Sequence, residues 1–417
     1  MLARRYYAPI TVALLLGAAA CGKNGGASNE NEAGTEPTSE GGSTVDEGGA
    51  QKVDDGAPVV VGNGLDGGGI ADGAGITDAG VGILDAAFAV VGVTTRTWVD
   101  TTRPTPANGT QPAESSRTLV TEVWYPTLAT GVSPVRDAPI APGGPYPLVL
   151  FVHGSGSGRT YYTYLTTALA QAGYVVAAAD FPMTAMDTPG GESDLYVWYQ
   201  VGDLSFLADS LKSTSADAGD EIAGAVNGLS YAVVGHSTGG AVAELAAFAG
   251  DDEMITHDPR VAAVVPLSGD ACMFSASFFK SRAVPVFAIG ASDDLFVHFP
   301  NSGEWVYESS NEPHLSAELV GGQHIYFTDF TFLLDSELDP VPTGPSSDLA
   351  VTLRAYGDAG ECLPEPEAGT DPMMDPNTQH AYVIQYVTAY LDAQLRHDST
   401  SLDALLSVNN PAVIIQQ

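Results

Sequence analysis

Basic side chains are scarce in this chain. Its 417 residues include 15 lysines and arginines against 51 aspartates and glutamates, so the formal net charge at pH 7 is −36. A protein that binds nucleic acid needs a basic face that displaces the counterions of the phosphates. The shortage therefore excludes nucleic acid as a partner, and the acidic surplus indicates a solvated, self-repelling surface.

Cysteine is scarce too, and long apolar runs are missing beyond the N-terminus. Three cysteines are too few for a disulfide-dense miniprotein, and no cysteine and histidine cluster has the spacing of a zinc site. No apolar run after residue 21 reaches the length of a membrane-spanning helix. A dinucleotide-binding fingerprint is also missing. We therefore expect neither a metal nor a cofactor.

The first 21 residues are typical of an export signal. Arg4 and Arg5 precede an apolar run over residues 10–16, and small residues follow up to Ala20. Cys21 comes next, an arrangement that resembles a bacterial lipoprotein signal, in which this cysteine becomes the lipidated N-terminus. The resemblance implies an outer-membrane lipoprotein or an extracellular protein that meets a membrane only through its lipid. An ordinary cleaved signal with an unmodified Cys21 is the alternative.

Glycine dominates residues 22–82. This segment holds 18 of the 47 glycines and no aromatic residue, so it has too little apolar surface to offset its chain entropy. We interpret it as an acidic, disordered linker and residues 83–417 as one folded domain. Within that domain, residues 335–379 are rich in proline and aspartate, and we interpret them as an insertion before a closing helix over residues 381–396.

The two remaining cysteines, Cys272 and Cys362, form the obvious pair if Cys21 carries lipid. An exported chain meets oxidising conditions. A disulfide closing this long loop would stabilise the fold by about 4 kcal/mol. Two separate buried thiols are the alternative.

Short apolar runs alternate with helical segments from residue 83 onward. Strands are predicted over residues 119–125, 148–152, 174–179, 231–234, 261–267, 284–289 and 315–320, and helices over 161–172 and 240–248. Continuous apolar runs suit strands that are buried on both faces of a parallel sheet. The pattern predicts an α/β fold with a mostly parallel, doubly wound sheet and helices on both faces. Ligands bind at the carboxyl ends of such strands.

A Gly-x-Ser-x-Gly motif follows the strand over residues 231–234. It runs from Gly235 through Ser237 to Gly239, directly before a helix rich in small residues. A serine on such a strained turn presents its hydroxyl at the N-terminus of the helix, whose dipole favours developing negative charge. We expect Ser237 to be a nucleophile.

A glycine-rich turn, residues 153–158, follows the strand over residues 148–152. Its backbone is free to turn an N–H group toward the nucleophile, as an oxyanion hole requires. The backbone N–H groups of Ser155 and Thr238 are the expected donors. A phosphate-binding loop is disfavoured, because no Gly-Lys-Ser/Thr sequence follows.

A serine nucleophile needs a base, and the base needs a carboxylate that orients it. His324 follows two glycines at the end of a predicted strand and is the favoured base; His298, His314 and His380 are the other candidates. Asp293 and Asp294 follow the strand over residues 284–289, and both are candidates for the acid.

These blocks resemble the α/β-hydrolase superfamily. They are most similar to the branch that holds platelet-activating-factor acetylhydrolases, dienelactone-hydrolase-like proteins and cutinase-like polyester hydrolases. The matching blocks are Asp100-x-x-Arg103, Arg117-Thr118-Leu119, Val123-Trp124-Tyr125-Pro126, His153-Gly154-x-Gly156, Gly235-His236-Ser237-x-Gly239-Gly240 and Gly322-Gln323-His324-x-x-Phe327-Thr328-Asp329.

The resemblance implies the catalytic triad Ser237, Asp294 and His324, since related loops place the acid four residues after the glycine. It also implies an ester substrate and a secreted or surface-anchored serine carboxylester hydrolase that acts through an acyl-enzyme. Dienelactone hydrolases carry cysteine at the elbow, so Ser237 argues against that activity.

Four further residues follow strand ends and are candidates for lining a substrate pocket: Phe181, Met183, Met273 and Phe274. An acyltransferase that uses the same triad is the first alternative function. A non-catalytic binding lipoprotein on a hydrolase fold is the second. Acyl chain length, alcohol moiety and oligomeric state are left open by the sequence.

Overall fold

The structure is a computed structural model that describes residues 87–250, 255–337, 362 and 372–417. All of them belong to one compact unit, Thr77–Gln417. The predicted signal over residues 1–21, Cys21 and the predicted linker over residues 22–82 lie outside the described residues. So does most of the predicted insertion over residues 335–379.

Ten strands form one mixed sheet in the described part of the chain. Their bounds are β1 Val91–Asp100, β2 Arg117–Pro126, β3 Val135–Arg136, β4 Leu148–Val152, β5 Val175–Asp180, β6 Tyr231–His236, β7 Val261–Leu267, β8 Val286–Ala291, β9 His314–Leu319 and β10 Val413–Gln416. The order across the sheet is β10-β9-β8-β7-β6-β4-β5-β2-β1-β3. The six central strands, from β9 to β5, are parallel to one another, whereas β10 and β2 join them antiparallel.

Seven helices connect and cover these strands within the described ranges. They are α1 Thr163–Gln171, α2 Tyr199–Ser215, α3 Thr238–Phe248, α4 Ala276–Phe279, α5 Gly303–Ser309, α6 Pro376–Leu395 and α7 Thr400–Leu406. No helix in this part of the chain is long and apolar enough to cross a membrane.

The side chains of β4 show how both faces of the sheet are covered. Leu148, Leu150 and Val152 pack in one hydrophobic core with residues of α2 and α3. Val149 and Phe151 point the opposite way and pack in a second core with residues of α1 and α6. A strand buried on both faces has no solvent side on which polar residues would be favourable, which explains its continuous apolar sequence. The predicted fold class is confirmed.

A buried ion pair fixes the first antiparallel strand against a helix. Arg117 of β2 is fully buried, and its Nε and Nη2 donate to the two oxygens of Asp203 in α2 at 2.7 and 2.5 Å. Arg103 approaches the same carboxylate, with its Nη2 2.7 Å from Asp203 Oδ1. A bidentate ion pair of this kind holds both side chains in one geometry. It accounts structurally for the two arginines in the N-terminal sequence blocks.

Candidate active site

Every residue expected to act in catalysis follows the carboxyl end of a parallel strand. Ser155 follows β4, Ser237 and Thr238 follow β6, Asp294 follows β8 and His324 follows β9. Because β4, β6, β7, β8 and β9 are consecutive neighbours with one direction, these loops meet at one edge of the sheet.

Ser237 lies on a sharp turn between β6 and α3. Its backbone has φ +56° and ψ −124°, a conformation that is strained for a residue with a side chain. A Cβ on Gly235 would come within 2.0 Å of the carbonyl oxygen of Gly239, and a Cβ on Gly239 within 2.2 Å of the carbonyl oxygen of Val152. Backbone packs directly against backbone at both positions, so the turn requires the glycines of the motif.

Asp294 and His324 are in direct contact. The Nδ1 atom of His324 lies 2.7 Å from Oδ2 of Asp294. The other oxygen of Asp294 accepts the backbone N–H groups of Phe296 and Val297 at 2.8 and 2.7 Å. The carboxylate is fully buried and fixed on both sides. Of the two candidate acids, the structure brings Asp294 to the histidine.

His324 lies beside the elbow that carries Ser237. Its ring centroid is 4.4 Å from that of His236, the residue before Ser237. His236 is buried between Tyr162 and Phe327, and its Nδ1 is 3.1 Å from the hydroxyl of Tyr162. This packing fixes the place of His236, against which the ring of His324 rests.

The two neighbouring imidazoles differ in electrostatics. Burial lowers the pKa of His324, but the charge and hydrogen bond of Asp294, with the charges of Asp335 and Asp270, bring it above the usual value of 6.5. Burial also lowers the pKa of His236, and the positive charge of a protonated His324 lowers it further, to well below 6.5. The surroundings therefore favour a proton on His324 over one on His236.

The turn after β4 lies against the nucleophile. A Cβ on Gly154 would be 3.2 Å from Cβ of Ser237. The N–H of Gly154 donates to the hydroxyl of Tyr162 at 3.0 Å, and the N–H of Gly156 donates to the carbonyl of Thr184 at 2.9 Å. These bonds on either side of Ser155 fix its backbone.

Two backbone N–H groups are expected to bind an oxyanion: that of Thr238 lies at the elbow, and that of Ser155 lies in the turn after β4, which packs against the elbow at Gly154. Within the described residues, no hydrogen bond to the protein takes up the N–H of Ser155 or of Thr238. Thr238 is the first residue of α3, where an N–H has no partner within the helix and the helix dipole favours negative charge. Both N–H groups are therefore left unused by the described part of the protein, which is what a donor to an oxyanion requires.

The loop of His324 is also tied to α1. Asp329, five residues after the histidine, accepts the N–H of Thr163 at 2.7 Å and the N–H of Tyr164 at 3.1 Å. It also accepts the hydroxyl of Thr163 at 2.7 Å. The first turn of α1 contains no acidic residue of its own, so Asp329 supplies the cap from another part of the chain. This explains the aspartate at the end of the histidine block.

The four candidate pocket residues separate into two pairs. Phe181 and Met183 line a cavity of about 420 Å³ beyond the carboxyl end of β5, next to the turn after β4. Met273 and Phe274 do not line it. Phe274 is fully buried, its ring lies 4.2 Å from that of Phe278, and its carbonyl accepts the indole N–H of Trp305. The structure places this second pair in the hydrophobic core.

Cys272 and Cys362 are joined by a disulfide, with their Cα atoms 4.9 Å apart. Cys272 lies in the 3₁₀ turn Ala271–Met273, which follows β7 at the same edge of the sheet as the triad residues. The bond therefore ties Cys362, which belongs to the predicted insertion, to the active-site edge.

Glu244, Asp335 and Gln379 were not singled out from the sequence. Glu244 lies in α3 behind the elbow, is fully buried, and has no hydrogen-bond partner for either carboxyl oxygen among the described residues. Burial, with the charge of Asp270 added, raises its pKa well above 4.5. Asp335 and Gln379 support the loop of His324. These two residues come from segments that follow the histidine loop in sequence and fold back against it, and no local sequence pattern predicts that contact.

No group of three or more histidine, cysteine, aspartate or glutamate side chains within the described ranges has an arrangement that would hold a metal ion. The chemistry that the site offers is that of a serine, an imidazole paired with a carboxylate, and two backbone donors.

Comparisons with known proteins agree with this architecture. The sequence model of the alpha/beta hydrolase family matches residues 149–400. That of platelet-activating factor acetylhydrolase, isoform II, matches residues 111–183. A platelet-activating factor acetylhydrolase from Cavia porcellus is 24% identical over 236 residues, which cover 47% of this chain and 51% of that protein. The chain thus spans about half the length of this relative.

Among solved structures, a ferulic acid esterase from Streptomyces cinnamoneus is similar in fold, with a TM-score of 0.54 and 24% sequence identity. The similarity covers 80% of this chain and 98% of the esterase. The family match extends over more than half of the chain and includes the strands and loops that carry Ser237, Asp294 and His324. The chain belongs to the alpha/beta hydrolase family.

Proposed function

We propose that this protein is a serine carboxylester hydrolase that acts through an acyl-enzyme. The observation that carries the proposal is the 2.7 Å contact between His324 Nδ1 and the buried carboxylate of Asp294, beside a serine on a strained turn. The names of the two relatives, an acetylhydrolase and an esterase, support the same class of reaction.

The proposed reaction begins with attack of Ser237 Oγ on the ester carbonyl. His324 takes the hydroxyl proton through Nε2, while Asp294 accepts the hydrogen bond from Nδ1 and stabilises the imidazolium. The carbonyl electrons move onto the oxygen, which the N–H groups of Ser155 and Thr238 bind. The tetrahedral intermediate then collapses: the C–O bond to the alcohol breaks, His324 gives its proton to the departing oxygen, and the acyl group stays on Ser237.

Water completes the cycle in the second half of the reaction. His324 removes a proton from water, the hydroxide attacks the acyl carbonyl, and Ser237 leaves with the proton returned by His324. An acyltransferase would use an alcohol in place of this water. We further propose that part of the substrate occupies the cavity lined by Phe181 and Met183.

The proposal extends to location and domain organisation. We infer that residues 1–21 direct export, that Cys21 carries a lipid anchor, and that residues 22–82 link the anchor to the catalytic domain over residues 83–417. The disulfide between Cys272 and Cys362 supports an oxidising compartment, where such bonds persist.

The test is hydrolysis of p-nitrophenyl esters from acetate to palmitate by the full chain and by Ser237→Ala. We expect the variant to lose activity by several orders of magnitude while it stays folded. The matched control is Ser399→Ala, at an exposed serine before α7, which should keep full activity. Equal activity in Ser237→Ala and the parent would refute the proposal. Added methanol that diverts the acyl group to a methyl ester faster than water would favour acyl transfer.

A further inference from the structure

The carboxylate of Asp335 joins the two loops that carry the acid and the base. One oxygen accepts the N–H of Ile325 at 2.8 Å. The other accepts the N–H of His324 at 2.8 Å and the N–H of Leu295 at 3.2 Å. Leu295 directly follows Asp294, so a single side chain, only 2% exposed, connects the loop of Asp294 to the loop of His324.

Asp335 is linked to the closing helix α6 through Gln323. Its N–H donates to the side-chain oxygen of Gln323 at 3.1 Å. Gln379 of α6, which is fully buried, accepts the backbone N–H of Gln323 at 3.0 Å and donates to its carbonyl at 2.9 Å. A continuous set of hydrogen bonds therefore runs from α6 through Gln323 and Asp335 to the backbone of His324. The histidine loop cannot shift without breaking several of them together.

We propose that Asp335 is a positioning residue for ester hydrolysis: it fixes the histidine and acid loops at their working distance, and its negative charge stabilises the imidazolium of His324. The inference rests on the proposed function, because it requires His324 to act as the base. Asp335 contacts neither Ser237 nor the ring of His324 by a hydrogen bond; it acts through the backbone and through its charge.

Among the described residues, four titratable side chains act on the imidazole of His324, and the uncharged ring of Phe296 lies 5.2 Å from it. Asp294 follows β8, Asp270 follows β7, Asp335 comes from the segment after the histidine loop, and His236 ends β6. Burial lowers the pKa of His324, and the three carboxylates raise it. Burial raises the pKa of Asp335, whereas the charge of His324 and the hydrogen bonds from the backbone of Ile325 and His324 oppose that rise.

The substitution Asp335→Asn removes the negative charge and also disrupts the hydrogen bonds from the three backbone N–H groups. An asparagine side chain has one oxygen, so its NH₂ group would face at least one backbone N–H that the carboxylate now accepts. Asp294 and Asp270 remain, so the pKa of His324 should fall without losing all its support. A lower pKa means that the neutral, basic form of His324 persists to lower pH.

The test is the rate at which diethyl p-nitrophenyl phosphate modifies Ser237 in the full chain, measured by mass spectrometry between about pH 5 and pH 9. In Asp335→Asn we expect the plateau rate to fall between about tenfold and hundredfold, since small displacements of a reacting group cost this much. We expect the acidic limb of the profile to move down by about one pH unit, as loss of one nearby charge implies. Asp335→Glu, which keeps the charge, should restore the parent's acidic limb.

A buried carboxylate far from the histidine provides the control. Asp258, before β7, accepts the N–H of Arg260 and the hydroxyl of Tyr231, and Asp258→Asn should leave the acidic limb in place. Asp335→Ser takes the place of Asp335→Asn if the latter does not fold. A folded variant without the charge whose acidic limb coincides with the parent's would overturn the inference alone. A parent chain whose Ser237 is not modified would overturn the proposed function and this inference with it.

Discussion

The hydrogen bonds of Asp294 allow the effect of one substitution, Asp294→Asn, to be worked out in detail. One carboxylate oxygen accepts two backbone N–H groups, from Phe296 and Val297, and the other faces Nδ1 of His324. The amide oxygen of asparagine must take the first place, because an NH₂ group there would meet two donors. The opposite orientation, with the NH₂ group facing Phe296 and Val297, would lose two hydrogen bonds worth about 1 kcal/mol each.

The NH₂ group of the asparagine is thereby directed at His324 Nδ1. That nitrogen must then accept a hydrogen bond, so the neutral imidazole carries its proton on Nε2. In this tautomer Nε2 has no lone pair for the proton of Ser237. A histidine held in the wrong tautomer in this way costs about 10⁴-fold in kcat, which is about 5.4 kcal/mol in activation free energy.

The assay is kcat for p-nitrophenyl acetate at a pH above the acidic limb, with circular dichroism to confirm the fold. The adjacent carboxylate offers a matched control: Asp293→Asn changes the same charge one residue away, at a half-buried side chain that accepts the hydroxyl of Ser292. It should keep kcat within about twofold. A loss of less than tenfold in Asp294→Asn would refute the tautomer argument. A larger loss in Asp293→Asn than in Asp294→Asn would show that Asp293, and not Asp294, is the acid.

Three further outcomes follow from the same structure. The raised pKa of Glu244 means that the folded chain keeps a proton that the unfolded chain loses above about pH 4.5. This carboxyl therefore destabilises the fold increasingly as pH rises, and Glu244→Gln should show the parent's melting temperature near about pH 4 and a growing excess toward neutrality. Replacing Cys272 and Cys362 together by serine opens a loop of 90 residues and should lower the free energy of unfolding in urea by between about 4 and 5 kcal/mol; an unchanged value would show that the cross-link adds nothing. Thr118→Phe places a ring in the cavity from an exposed wall position and should raise KM about tenfold for long-chain esters while leaving that for acetate unchanged; an equal effect on both would remove the cavity from the substrate path.

The central sheet was open to prediction from the sequence because its strands are buried on both faces. Two predicted strands, residues 148–152 and 261–267, coincide with β4 and β7, and the other predicted strands overlap β2, β5, β6, β8 and β9 with shifts of a few residues at their ends. Three strands were not predicted: β1, whose second half alternates in burial, and the two edge strands β3 and β10. β3 has two residues and β10 four, and strands this short are defined by the neighbour with which they pair.

The candidate site could be predicted wherever a candidate residue directly follows a strand. The elbow and the histidine loop have that signal. Asp294, which lies between them in sequence, also follows a strand, and the structure brings it to the histidine. Met273 and Phe274 have the same position after β7, but the chain there enters the 3₁₀ turn Ala271–Met273 and directs Phe274 into the core. Position after a strand thus indicates which loop reaches the site, whereas the local path of the backbone decides which side chains do.

Asp335 shows the opposite case, a residue whose sequence context suggested no role. It stands at the start of a segment rich in proline and aspartate, where an acidic side chain is expected to be solvated. In the structure it is buried against three backbone N–H groups from two loops. Only the return of the chain to the histidine loop reveals this, and sequence spacing does not encode that return.

The contrast between His236 and His324 gives an independent argument for which imidazole is the base. The rings are 4.4 Å apart, so both lie within reach of the same electric field, and protonation of one opposes protonation of the other. Carboxylates surround His324, whereas His236 packs against Tyr162 and Phe327. The surroundings therefore push the two pKa values apart, upward for His324 and well downward for His236. Where two titratable neighbours are separated in this way, the one that can hold the proton is the one suited to accept it from a nucleophile. Exchanging the two roles would require a buried imidazolium at His236 without a carboxylate to stabilise it. This favours His324, and not the residue next to the serine in sequence, as the proposed base.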